Sequence, residues 1–110
     1  MPRPYQPYIP RNASELLDLL GSMMLSSPTF ADKTGYLPGM SLETTFVELN
    51  EGLQRLRSKL GEERYRKLAV MSDQMRAYFE SDPEDKTGNA IKGREVILDM
   101  ENLIKSGGSH

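Results

Sequence analysis

The sequence predicts an all-α, four-helix, bundle-like domain with an extended proline-rich N-terminal arm. Three observations predict it. Apolar residues recur every three or four positions in four separate segments, the helical period. Leu42, Phe46, Leu49, Leu53, Leu56 and Leu60 are spaced 4, 3, 4, 3, 4, an a/d seam through one whole element. No alternating apolar–polar run is long enough for a strand. The chain has 110 residues, which suits one domain, expected over residues 12–106.

Residues 1–11 form the arm. Prolines at positions 2, 4, 7 and 10 forbid a helix and favour extended geometry. Tyr5, Tyr8 and Ile9 lie between them, either packed on the body or left in solvent. Asn12 then opens a first helix, with Glu15 three places later as in a capping box. Leu16, Leu17, Leu19, Leu20, Met23, Met24 and Leu25 give it a wide apolar face, and Ser26, Ser27 and Pro28 end it. Residues 27–40, SPTFADKTGYLPGM, form a connection longer than bundles ordinarily use.

The second helix is expected from Ser41, its N-cap, to Leu60, with Gly61 as a left-handed C-cap. The third begins at Glu62 and carries Tyr65, Leu68, Met71 or Ser72, Met75, Tyr78 and Phe79 on one stripe, until Ser81-Asp82-Pro83 stops it. The fourth covers Ala90–Lys105, with Ile91, Val96, Ile97, Met100, Leu103 and Ile104 facing inward. Gly93 marks either close packing or a fourth helix that begins only after it, and for Gly21 and Gly52 close helix approach is the ordinary reason. The six non-initiator methionines read as core filler. Residues 107–110, GGSH minus nothing but their small polar character, read as a linker and tag remnant.

Composition removes several chemistries. Cysteine is absent and the only histidine is His110, so thiolate sites, cysteine nucleophiles and histidine triads are excluded. No calcium loop fits: with Gly88 as its central glycine, Pro83 takes the first ligand position. The glycines match no phosphate-binding motif. Asp32 and Asp85 are the one carboxylate pair that could serve acid–base work, the remote alternative of a carboxylate-dependent enzyme. The reading is therefore no enzyme, no cofactor and no metal. No apolar run reaches the length of a membrane span and no signal peptide is visible, so a soluble, cytoplasmic protein is expected, with no membrane partner.

Charge is uneven. Residues 1–54 hold three bases against six acids, residues 55–76 seven against three, and residues 77–101 three against seven. The basic stretch alternates with acids at helical spacing and lacks interleaved aromatics, so it reads as a solvated helix face, with no nucleic-acid partner. The acidic balance suits a basic protein partner. Two loops supply the candidate contacts: Phe30, Asp32, Tyr36 and Leu37 in the long connection, and Asp82, Glu84 and Asp85 in the second. The apolar residues of the long connection either tuck into the bundle or await a partner. Both loops contain DKTG, at 32–35 and 85–88. Two type I turns explain the echo, and the alternative is one shared binding edge.

In size, charge and phrasing, with LGEERYRKL at 60–68 and DKTG twice, the chain resembles the small cytoplasmic immunity proteins of bacterial toxin systems. The resemblance implies a helical module that neutralises a cognate toxin by direct binding, using an acidic or aromatic face against a basic toxin domain, without a cofactor. It carries over no individual residue. The alternative is a small homodimeric helical regulator or assembly subunit, in which part of the a/d seam meets its own copy.

Overall fold

The computed structural model describes residues 9–27, 30 and 42–106, and places five helices among them. They are α1 (Ala13–Ser26), α2 (Leu42–Arg55), α3 (Arg57–Leu60), α4 (Glu62–Ser81) and α5 (Asn89–Ser106). No strand occurs among the described residues, and the protein is all-α. The expected arm up to Tyr8, the Ser41 cap and the tail from Gly107 lie outside the described residues.

Each long helix starts where local chemistry favours it. The Asn12 side chain accepts the amide of Glu15 at 2.8 Å, and the Glu15 carboxylate accepts the amide of Arg11 at 2.9 Å. One orphan donor of α1, the Glu15 amide, is thereby satisfied, and the Arg11 amide just before the cap is held as well. The expected second helix is interrupted. Leu56 sits at φ −96°, ψ 4°, outside the helical well, and separates α2 from the single turn α3. Gly61 follows at φ +88° but ψ 149°, a conformation open to glycine and not the expected left-handed helical cap. The Arg64 guanidinium closes this end. It donates to the Leu60 carbonyl at 2.7 Å and to the Ile104 carbonyl of α5 at 3.2 Å, serving two helix C-termini at once.

The four long helices form a ring in which α1 packs on α2, α2 on α4, α4 on α5 and α5 on α1. Pairings across the ring fix the directions. Arg64 near the start of α4 meets Ile104 near the end of α5. Ser72 of α4 donates to Asn50 of α2 at 2.8 Å, while Arg76, nearer the end of α4, lies over Phe46, nearer the start of α2. Arg94 of α5 reaches Ser27 just past α1. Pro10, before α1, packs against Gly52 near the end of α2, where a Cβ would lie 3.0 Å from the proline ring. All neighbours are antiparallel, which is the up-down-up-down bundle.

The core is one cluster. It includes Leu16, Leu20 and Met23 from α1, Phe46, Leu49 and Leu53 from α2, Leu56 and Leu60, Leu68, Met75 and Phe79 from α4, and Ala90, Ile97, Met100 and Ile104 from α5. The a/d seam thus packs inside the chain, with only Leu42 partly exposed. Three expectations need correction. Ile91 and Leu25 are exposed, at 55% and 90%. On α5 the inward line is Ala90, Gly93, Ile97, Met100 and Ile104, and Gly93 admits the Phe79 ring. A Cβ on Gly93 would stand 2.6 Å from that ring, so Gly93 marks close packing, and α5 begins before it and not after. A Cβ added at Gly21 would meet nothing within 4 Å, so close helix approach does not account for that glycine.

Candidate binding groove

Of the seven sequence-derived contact residues, Asp32, Tyr36 and Leu37 lie outside the described residues. Phe30 takes the inward outlet. It is fully buried, with its ring edge-on to Phe46 at 5.8 Å and to Phe79 at 5.2 Å. Its φ of +58° is costly for a bulky residue, by about 1–3 kcal/mol. Burial of an aromatic ring offsets that strain. Phe30 is therefore a core residue and offers no surface to a partner.

The acidic loop between α4 and α5 is organised for capping. Asp82 is only 2% exposed. One carboxylate oxygen accepts the amides of Lys86 at 2.7 Å and Thr87 at 3.1 Å, and the other accepts the amide of Ala90 at 3.0 Å. Ala90 lies in the first turn of α5, so a side chain eight residues upstream caps that helix. These bonds, the one from Ala90 foremost, hold the Asp82 carboxyl down at about 2, despite the opposing effect of burial. Asp85, at φ +57°, accepts from Arg94 at 2.8 Å, and the same guanidinium donates to Ser27 at 2.9 Å. Glu84 pairs with Lys86 at 3.0 Å. The loop's carboxylates are thus engaged at home, and Asp82 in particular is a structural cap and not a contact residue. The DKTG echo cannot be compared, because residues 32–35 lie outside the described residues.

The basic stretch is likewise paired along its own helix. Arg66 meets Glu62, Lys67 meets Glu63 and Arg76 meets Glu80, each four residues apart. Arg57 also donates to Glu62, which raises the affinity of the guanidinium for its proton and lowers that of the carboxyl.

A different place stands out. A groove of about 380 Å³ runs between α1 and α2, lined by Pro10, Glu15, Asp18, Leu19, Ser22 and Glu48. Glu15, Asp18, Leu19 and Ser22 recur at three- and four-residue steps and so share one face of α1. Glu48 of α2 faces them and is only 5% exposed. Its Oε1 has no hydrogen-bond partner among the described residues, and neither has the hydroxyl of Thr45 one turn earlier. Withdrawal from water pushes the Glu48 carboxyl up to about 7. Glu15 is engaged by the Arg11 amide and lies 3.8 Å from the Arg11 guanidinium. Among the described residues, no group of three acidic side chains converges closely enough to hold a metal ion. No described helix is long and apolar enough to cross a membrane.

Sequence reasoning passed over Glu48. Its position one residue before Leu49 of the seam, and two after Phe46, was the available signal: a charge set against the edge of an apolar stripe. Compared with known proteins, the chain matches no family model, no curated protein and no solved structure, so the groove is read from its own geometry.

Proposed function

We propose that this chain is a protein-binding module that presents its α1–α2 face to a basic partner, and more narrowly an immunity protein that neutralises a cognate toxin by covering part of it. The observation that carries the reading is the buried Glu48 carboxyl, one oxygen of which has no partner among the described residues, in a groove that also holds Glu15 and Asp18. Leaving such an acceptor buried without a partner costs about 1–3 kcal/mol. Sequences break a local rule of this kind chiefly at functional sites. A basic partner that opens the groove supplies the missing bond and removes that cost, and Asp18 beside it favours the encounter.

The test is affinity capture by the full chain from its source cells, alongside the variant Glu15→Lys, Asp18→Lys, Glu48→Gln. A basic protein should bind the natural chain, leave at an ionic strength of about 1 M, where screening acts within about 3 Å, and ignore the variant. Its toxicity in a host cell should be relieved by co-expression of the natural chain alone. A partner that binds both chains equally, or that is harmless alone, overturns the proposal.

A further inference from the structure

Five large aliphatic side chains are exposed among the described residues, and three of them, Leu25, Ile91 and Leu98, lie on one flank of the bundle. Ile91 and Leu98 stand seven residues apart on α5, so they share a stripe along it. They are 55% and 51% exposed. Arg94 lies between them at steps of three and four and belongs to the same stripe. Its Nε donates to the Ser27 hydroxyl just past α1, so the stripe borders the end of α1. Leu25, two residues before Ser27, is 90% exposed. Gly21, one turn before Leu25, adds open space, because a Cβ there would meet nothing within 4 Å. The opposite flank of α1, with Asp18, Leu19 and Ser22, belongs to the groove beside α2.

We propose that this α1–α5 flank is the interface of a homodimer, in which α5 of one copy packs antiparallel on α5 of a second about a two-fold axis near Arg94 and Glu95. The face and the partner differ from those of the α1–α2 groove, so the dimer stands or falls independently of the reading above.

The order of charges selects a second copy and sets its direction. About that axis Ile91 meets the partner's Leu98, Leu98 meets the partner's Ile91, and Arg94 meets the partner's Glu95. Apolar side chains cover each other and each charge faces its opposite, so the surface complements itself, as an isologous contact requires. The Arg94 guanidinium has donors to spare. Its Nε serves Ser27 and its Nη2 serves Asp85, which leaves the Nη1 pair for a carboxylate. Glu95 is exposed and has no ion pair among the described residues. A parallel pair would instead set arginine against arginine and glutamate against glutamate, and like charges across an interface oppose association. With three exposed aliphatic side chains per copy the contact is small, which suits a dimer that forms and parts with concentration.

Sedimentation equilibrium of the full chain is the test. The mass should be near 12.4 kDa at about 1 μM and approach twice that at about 1 mM, the range of weak association. Leu98→Lys alters an exposed side chain, so circular dichroism and thermal unfolding should match the natural chain while dimerisation weakens about thirtyfold or more. Glu95→Lys should weaken it too, and more at low salt than at high. Val70→Lys, the same kind of change on α4, should leave association unaltered. The chain has no cysteine, so Ile91→Cys and Leu98→Cys report the direction of packing. Mixed together, the two variants should cross-link to each other faster than either does to itself. A chain that stays monomeric through that range, a dimer that Leu98→Lys leaves intact, or cross-linking no faster in the mixture than within either variant overturns the proposal.

Discussion

Glu48 makes stability depend on pH in a window where few other groups titrate. An ordinary glutamate loses its proton near 4.5, and here the folded state holds it to about 7. Between those values the folded protein binds the proton and the unfolded chain does not. Stability is therefore complete below 4.5, falls through the window, and stays low above 7. Each pH unit corresponds to about 1.4 kcal/mol, so the loss is about 3 kcal/mol in all. That is a large part of the 5–15 kcal/mol typical of a domain. Replacing Glu48 by Gln removes the titration and keeps the shape. Urea unfolding of both proteins from pH 4.5 to 8.5 is the assay. The curves should nearly coincide at pH 4.5 and diverge upward for the variant, by about 3 kcal/mol at pH 8. Parallel curves would refute the argument, because they would mean that Glu48 is not withdrawn from water in solution.

Three further outcomes follow from the packing. Gly93→Ala gains about 1 kcal/mol of helix propensity, but its Cβ would stand 2.6 Å from the buried Phe79 ring. Overpacking of that kind costs about 1–3 kcal/mol, so thermal unfolding should show a net loss. Phe30→Ala should cost about 3 kcal/mol in urea unfolding, because the ring is wholly buried between two others. Asp82, held at about 2 against an ordinary 3.8, contributes stability above 3.8 that disappears as pH falls through about 2. Asp82→Asn should lower the melting temperature at pH 7 and erase that acid-limb difference, and an unchanged melting temperature would show that the cap is dispensable.

The helices were legible because period and punctuation agree. Asn12 with Glu15 marked the start of α1, Gly61 and the Glu62–Glu63 pair the start of α4, and the seam from Leu42 to Leu60 the inner face of α2 and α3. What escaped was set by neighbours distant in sequence. Ile91 has the apolarity of a core residue, yet Ala90 and Gly93 face inward, and at Gly93 the Phe79 ring takes the room a side chain would fill. The break at Leu56 leaves the heptad spacing intact, so spacing could not reveal it. Asp82 looks like a surface acid until its acceptors are seen to match amides of Lys86, Thr87 and Ala90. Glu48 looks like any other acid in the sequence, and the α1 residues that share its groove lie more than twenty residues upstream.

All three phenylalanines of the chain meet at one end of the bundle. Phe30 comes from the connection after α1, Phe46 from α2 and Phe79 from α4, and the Phe79 ring lies in the hollow left by Gly93 of α5. Every long helix is thus committed to the same cluster of rings, directly or through the segment attached to it. Peeling away any one of them would strip an aromatic face bare for the rest. A chain this short, without disulfides to brace it, is expected to unfold cooperatively, and this shared cluster ties its helices to one transition.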